Sequence, residues 1–174
     1  QLLTSGLIDR HRALWGRVAA RYLNRRYRRP VVMLDALPPR RRAQALAHKI
    51  VVAGLGLRPR AYLDRGLAQA SVATIIITPE GWPPGALCAV LNSGLVARLY
   101  RALFGGLALS GGYLRFGKRE LAALPLPNVP PDDARVRRLD ALAGEMARAD
   151  RLARPDLDAQ IDALVSVLYG VAEG

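Results

Sequence analysis

Two segments rich in β-branched residues constrain the fold most strongly. The first reads HKIVVAG from residue 48, and the second reads ASVATIIITP from residue 70. Each is a short apolar run that ends at Gly or Pro, and branched side chains pack well on the pleated surface of a strand. We therefore expect strands over 49–53 and 70–78 in one sheet. The sequence LGLRPRAYLDRG between them predicts an intervening strand or hairpin arm, with Arg58 and Arg60 on the same face.

Leucines at helical spacing predict a helix over 86–103 that packs on this sheet. The stripe consists of Leu87, Leu91, Leu95 and Leu99. Residues four apart lie on one face of an α-helix, so these side chains can face a common core. Over 7–27, apolar and aromatic residues also recur at mostly helical intervals, which predicts an earlier helix that ends at RRYRRP.

The C-terminal region predicts a helical hairpin. Asp132 or Asp133 can cap a first helix, because a carboxylate accepts hydrogen bonds from the free N–H groups at a helix N-terminus. Pro155 breaks this helix, and a second one begins near Asp156 and can end at Gly170. The second helix carries an apolar seam of Leu157, Ile161, Leu164 and Leu168. Together these elements predict an α+β fold with a mixed sheet, packed helices and a C-terminal helical hairpin.

The excess positive charge lies in the first third of the chain. Residues 1–60 hold 14 Lys/Arg and 2 acidic residues, a net charge of +12, whereas residues 61–174 hold 12 of each sign. A surface of one sign attracts polyanions, and nucleic acid is the usual one. The alternative is that an arginine-rich composition reflects genome bias. The triplet Arg40, Arg41 and Arg42 follows two prolines, and we expect it to be solvated.

The segment SGGYLRFGKREL, residues 110–121, combines two glycines, two aromatic residues and three cations. Adjacent glycines let the backbone approach another surface closely, and aromatic side chains between cations suit a polyanion or the edges of bases. The alternative is a turn followed by an amphipathic strand. The candidate DNA-binding residues are Arg40, Arg41, Arg42, Arg58, Arg60, Ser110, Gly111, Gly112, Tyr113, Arg115, Lys118 and Arg119.

Composition and missing motifs bound the class of protein. The chain has 174 residues, of which 51% are hydrophobic and 23% charged, so we expect it to fold rather than to be disordered. The longest uncharged stretch, 81–97, contains two prolines, so we expect no membrane segment. Cys88 is the one cysteine, which fits a cytoplasmic protein, and with His11 and His48 it makes a poor zinc ligand set. Dinucleotide-binding, P-loop, nucleophile-elbow and HExxH motifs are missing, which favours recognition over catalysis.

Several segments, in this order, resemble the C-terminal specificity region of TaqI-type adenine-specific DNA methyltransferases, including the fused restriction-modification enzymes. The segments are HKIVVAG, RAYLDRG, ASVATIIITP, LCAVLNSGLVARLYRALFGG, GGYLRFGKRELAALPLP and IDALVSVLYG. The resemblance is best over 47–127, returns at 161–170 and is faint before residue 45. The stretch from 91 to 127 is specific in combination, because its helix, glycine-rich loop, LRF and LPLP follow one another.

The resemblance implies a target recognition domain, over 46–130, that faces the major groove of double-stranded DNA. It also implies a basic lead-in segment, 1–45, that links to a missing catalytic domain of the same polypeptide, followed by the hairpin at 131–174. The N-P-P-Y/F sequence of such enzymes is not in this chain, and neither is their S-adenosylmethionine-binding region. We therefore expect no cofactor and no methyl transfer in this chain alone.

The resemblance also implies roles for individual residues of the 110–121 segment. Gly111 and Gly112 would pass close to the sugar–phosphate chain, and Arg115 would contact a phosphate or a guanine edge. Lys118 and Arg119 suit phosphates. Phe116 would pack beneath the loop, and Tyr113 either packs or contacts DNA.

Three other functions fit the same sequence. The terminal hairpin suits a protein-interaction module of a restriction-modification complex or another nucleic-acid-processing complex. A nuclease with an unrecognised site predicts cleavage of DNA with a divalent metal, and an RNA-binding protein predicts a preference for single strands over duplex.

Overall fold

The computed structural model describes residues 1–71 and 73–171, and it has the predicted α+β fold with a C-terminal helical pair. The strands are β1 (Leu2–Leu3), β2 (Ile8–Asp9), β3 (Arg12–Ala13), β4 (Ala20–Tyr22), β5 (Arg25–Tyr27), β6 (His48–Ala53), β7 (Leu55–Gly56), β8 (Ala61–Arg65), β9 (Gln69–Ala70), β10 (Thr74–Ile77) and β11 (Leu114–Arg115). The α-helices are α1 (Pro39–Leu46), α2 (Pro84–Asn92), α3 (Gly94–Phe104), α4 (Lys118–Ala122), α5 (Ala134–Arg148) and α6 (Arg154–Leu168).

The central sheet is antiparallel, with β6 between β10 and β8. Val51 in β6 lies opposite Ile76 in β10 and Tyr62 in β8. The strand expected at 49–53 is thus confirmed, whereas the run at 70–78 forms two short strands. Ala73 has a φ of 56°, in the left-handed region, which interrupts an extended strand. β9 instead pairs with β1 in parallel.

The helix expected over 7–27 was wrong, because this region forms the hairpins β2–β3 and β4–β5. His11, Leu23 and Asn24 have positive φ values of 61°, 47° and 60°, which turn the chain between the strands. Leu7 and Ile8 are adjacent and both fully buried against the sheet. Burial of these two consecutive residues against the sheet therefore determines the local structure more strongly than the weak helical periodicity of the segment.

Alternation along β6 gives the sheet two covered faces. Ile50 and Val52 belong to a helical core built on α2, α3, α5 and α6. Val51 and Ala53 belong to a second core, which is completed by Leu3 of β1 and by the N-terminal hairpins through Ile8 and Ala20. Residues 1–45 therefore supply one layer of the fold, and the sheet lies between them and the helices.

The helix expected over 86–103 is divided at Ser93 into α2 and α3. The Ser93 side chain accepts a hydrogen bond from Val96 N at 3.2 Å and donates one to Val90 O at 2.8 Å. The buried Asn92 amide bonds both backbone groups of Ala61 in β8, at 2.8 and 2.9 Å. These bonds end α2 on the sheet and begin a new helix in another direction.

Membrane-spanning helices were sought in the part of the chain that the structure describes. No single helix there combines the length and hydrophobicity needed to cross a bilayer. The stretches 84–92 and 94–107 meet both criteria only as a pair, which is bent by 63° at its break.

The C-terminal hairpin shares the helical core with the rest of the fold. Asp133 caps α5 as expected, and its carboxylate accepts from Arg135 N at 2.7 Å. Pro155 lies in the first turn of α6 rather than breaking α5, which ends earlier, at Arg148. Asp140 accepts from Ala86 N in the first turn of α2, and Asp162 accepts from Gly94 N in that of α3. The hairpin therefore caps two helices of the body as well as packing on them.

Close packing of α2 on α5 predicts that Gly85→Ala lowers the free energy of unfolding by about 1 to 3 kcal/mol. A Cβ at Gly85 would lie 2.6 Å from Asp140 Oδ1 and 3.1 Å from Asp140 O. Gly106→Ala is the matched control, because no atom lies within 4 Å of a Cβ there. Urea unfolding of both variants measures the difference. Equal stabilities would contradict the close approach of the two helices.

Candidate nucleic-acid interface

Two segments that are far apart in the chain meet through the pairing of β7 with β11. Leu114 lies opposite Gly56 and Arg115 opposite Leu55, and Phe116 N donates to Gly54 O at 3.0 Å. This antiparallel pair places the glycine-rich loop, defined here as residues 105–113, beside residues 55–60. The structure therefore brings together two of the predicted groups of candidate residues.

The glycine-rich loop is closed by its own hydrogen bonds. Leu109 N donates to Tyr113 O at 2.7 Å, and Gly112 N donates to Leu109 O at 3.0 Å. Gly111 and Gly112 both have a φ of 74°, a left-handed conformation that disfavours other residues. The two glycines are thus required by the turn itself, and they leave the backbone at positions 111 and 112 without side chains.

Phe116 anchors the end of β11, as expected. Its side chain is fully buried, with the ring centroid 4.7 Å from that of Tyr100. The Tyr100 hydroxyl donates to Arg115 O at 2.5 Å, and burial raises the pKa of Tyr100 to about 12. Arg115 is therefore held by its backbone while its side chain is exposed.

Arg101 of α3 joins the loop to β7, a role that the sequence analysis did not detect. Its Nη2 donates to Leu57 O at 2.9 Å, and its Nη1 lies 4.0 Å from the position of a Cβ at Gly112. The residue that Arg101 meets across the fold depends on the β7–β11 pairing, which brings Leu57 beside α3.

The two arginines between β7 and β8 have different environments. Arg60 donates to Leu55 O at 3.2 Å, and its Nε lies 3.5 Å from the position of a Cβ at Gly56, so it lies at the β7–β11 edge. Arg58 is half-buried and donates to Asn92 O at 2.8 Å, and burial lowers the pKa of its guanidinium. The intervening strand expected within 55–66 is confirmed as β8, which pairs antiparallel with β6. Arg58 and Arg60 do not alternate along it as expected, because they lie in the connection 57–60 that precedes Ala61.

The arginine triplet lies in the helix α1. Arg40 and Arg41 are exposed, whereas Arg42 is half-buried and donates to Leu34 O and Asp35 O at 3.1 and 3.2 Å. Arg41 and Lys118 line one surface groove of about 560 Å³, together with the polar residues Gln44, Gln69, Ser71 and Thr74. The exposed Arg119 follows Lys118 in α4. The segment from Arg115 to Arg119 thus runs from the β7–β11 edge to the groove beside α1.

A buried ion pair fixes α1 on the sheet. Lys49 and Asp64 are 1% and 3% exposed and form a salt bridge between β6 and β8. Lys49 Nζ also donates to Ala45 O and Ala47 O at the C-terminal end of α1, at 3.0 and 3.2 Å. The arginine triplet is therefore presented by a helix with a fixed orientation.

Candidate catalytic and metal-binding groups are few in the described residues. Those residues include no group of three or more His, Cys, Asp or Glu side chains that could hold a metal ion. His48 is exposed, and burial raises the pKa of the Cys88 thiol to about 12, so Cys88 packs as a small apolar residue. His11 is buried beside a cavity of about 80 Å³ that Arg65, Cys88 and Asp140 also line.

Comparisons with known proteins were made by family model and by sequence. No protein-family model matches the chain, and no curated protein matches its sequence.

Proposed function

We propose that this chain is the DNA-recognition module of an adenine-specific DNA methyltransferase of the TaqI type. The observation that carries the proposal is the β7–β11 pairing, which joins Gly111, Gly112 and Arg115 to Arg60 and Arg101. The bare backbone at Gly111 and Gly112, beside three guanidinium groups, admits a phosphate chain at close range. The basic helix α1 and Lys118 extend this positive surface.

In this proposal the chain contributes specificity rather than bond chemistry. A separate catalytic domain would bind S-adenosylmethionine and transfer the methyl group to adenine. The arginines of α1, with Lys118 and Arg119, would hold phosphates and set the register of the duplex. Arg115 would reach a base edge, where a bidentate contact discriminates by roughly 1 to 3 kcal/mol. Extrusion of the target base costs a few kcal/mol, which these contacts help to offset.

The alternative is a protein-interaction module that docks a partner through the terminal hairpin. The apolar seam of that hairpin already packs on the body, because Leu139, Leu142 and Ile161 are buried. Asp140 and Asp162 are likewise engaged with α2 and α3. A hairpin used in this way has little apolar surface left for a partner, which favours the DNA-recognition proposal.

The proposal is tested by the affinity of the 174-residue chain for DNA across a salt series. Selection from a random-sequence duplex pool first defines the preferred site. We expect affinity for that duplex to exceed affinity for scrambled duplex and for single strands, and to fall steeply with salt. Salt-independent binding, or a preference for single strands, would contradict the proposal. Cleavage of the duplex with added divalent metal would instead indicate a nuclease.

Arg115→Ala and neutralisation of the arginine triplet should have different effects. Arg115→Ala is expected to cost about 1 to 3 kcal/mol on the preferred duplex and to relax its sequence preference. Replacing Arg40, Arg41 and Arg42 by Gln should weaken binding to all duplexes about equally. Since each phosphate contact contributes about 0.9 to the salt slope, the triplet should flatten that slope by up to about 2.7.

Arg151→Ala serves as the control for both changes, because Arg151 is an exposed arginine in the turn between α5 and α6. Its affinity and salt slope should match those of the wild type. If Arg115→Ala lowers the affinity for the preferred duplex and for scrambled duplex by the same factor, Arg115 is a phosphate contact or a structural residue. Base reading would then have to be sought on Arg58, Arg60 or the loop backbone.

A further inference from the structure

The glycine-rich loop carries exposed apolar side chains that phosphate contacts do not explain. Leu107 is 67% exposed, and Leu109 and Tyr113 are exposed as well. We call these three residues the apolar tip. Leu55 and Leu57 of the paired segment are also exposed beside it. Single exposed apolar residues are common on protein surfaces, but a group of this kind indicates a contact surface.

The apolar tip is held in place before any partner binds. Ala108 N donates to Gly105 O at 3.0 Å, which closes the turn that contains Leu107. The bonds that join Leu109 to Tyr113 and to Gly112 close the next turn. Arg101 lies beneath both turns, with its Cγ 3.7 Å from the position of a Cβ at Gly105. A preorganised tip of this kind loses little conformational entropy when it enters another surface.

Positive charge surrounds the apolar tip and is not neutralised by neighbouring acids. Arg60, Arg101 and Arg115 lie at its base, and the salt bridges found between described residues involve none of the three. The complementary surface is anionic at its rim and apolar at its centre. A step between two base pairs, flanked by the phosphates of both strands, has this chemistry.

We infer that the apolar tip is a wedge that enters double-stranded DNA and partly unstacks one base step. Leu107 and Leu109 lie between the bases, and Tyr113 supports them from the side. Arg60 and Arg101 bind the flanking phosphates and hold the tip at that step, and Arg115 reaches a base edge beside it. This inference rests on the proposed function and deepens it, because it assigns to the loop a deformation of the duplex in addition to sequence reading.

The test uses 2-aminopurine, a fluorescent adenine analogue that stacking quenches, placed in turn at each adenine of the selected duplex. Binding of the 174-residue chain is expected to raise the fluorescence several-fold at one step. The double variant Leu107→Ala/Leu109→Ala should abolish that rise and keep the salt slope of binding. Leu152→Ala is the control, because Leu152 is 87% exposed in the turn between α5 and α6, and it should keep the rise.

The affinity for a duplex with a mismatch at the same step gives a second test. A variant whose fold alone is disturbed would not change its affinity for mismatched relative to matched duplex. A mismatched step is already partly unstacked, so wild-type affinity should increase on the mismatched duplex, whereas the affinity of the double variant should not change. Circular dichroism of the variants checks that both fold.

The outcomes separate the wedge from the proposed function. Salt-dependent duplex binding without a rise at any step overturns the wedge and leaves DNA recognition standing. A rise that survives in the double variant also overturns it. If the chain does not bind duplex, or if its affinity for duplex does not depend on salt, both proposals are overturned. Binding to phosphatidylserine vesicles that the double variant loses, without any effect on duplex, would reassign the apolar tip to membranes.

Discussion

Lys49→Met is expected to lower the free energy of unfolding by about 3 to 5 kcal/mol. Lys49 and Asp64 are both buried, and removal of the ammonium group leaves a carboxylate without its counter-charge. Asp64 then keeps the N–H donors of Leu67 and Ala68, at 3.2 and 3.3 Å, but no cation. Two carbonyl groups at the end of α1 lose their donor as well. Urea unfolding measures the loss.

Two further variants distinguish the cost of leaving a buried charge unpaired from the general effect of replacing a lysine. Lys118→Met removes the other lysine of the chain, which is exposed, and should change the free energy of unfolding by less than about 0.5 kcal/mol. Adding Asp64→Asn to Lys49→Met removes the unpaired charge and should recover most of the loss, because the amide oxygen still accepts from Leu67. If Lys49→Met and Lys118→Met are equally stable, the pair is not buried as described.

The stability of the wild type should fall as pH decreases from about 6.5 to about 3, in part because of His11. Burial, followed by repulsion from Arg10 and Arg154, lowers the pKa of His11 from 6.5 to about 3. Neither ring nitrogen has a hydrogen-bond partner among the described residues. Between these two pH values the unfolded chain binds a proton at His11 and the folded chain does not, so stability rises with pH. The contribution is complete above pH 6.5 and is lost at up to about 1.4 kcal/mol per pH unit below it.

His11→Asn isolates this contribution, because asparagine does not titrate and tolerates the left-handed φ of 61° at this position. The free energy of unfolding of both proteins is measured at pH 7, 5 and 4. Carboxylates titrate in both, so the difference between them reports His11. We expect the free energy of unfolding of His11→Asn to increase relative to that of the wild type as pH decreases. A difference that does not change with pH would show that His11 is solvated or paired in the folded protein.

The elements that could be predicted from sequence are those whose local pattern and final environment agree. The β-branched residues of β6 and β10 favour strands and lie in the central sheet. The apolar seam of α6 has helical spacing and faces the helical core, with Ile161 and Leu168 buried and Leu157 and Leu164 partly buried. Asp133 also caps α5 through a contact within its own first turn. In these cases the residues that decide the structure are close together in the chain.

Elements that depend on distant partners could not be predicted in this way. The region 7–27 has a helical pattern but forms hairpins, because Leu7 and Ile8 are both buried on the second face of the sheet. The division between α2 and α3 depends on Asn92, whose amide bonds the backbone of Ala61 across the fold. Neither contact is visible in the local sequence.

The candidate site shows the same division. Its residue types, the adjacent Gly111 and Gly112 and the cations near them, are evident from the sequence alone, as is the basic first third of the chain. Only the tertiary structure separates Arg60, at the β7–β11 edge, from Arg58, which is held against the end of α2. It also adds Arg101, because a hydrogen bond to Leu57 depends on strand pairing between segments far apart in the chain. Local propensity depends on near neighbours, whereas the direction of a side chain on the surface depends on which distant backbone groups remain for it to bind.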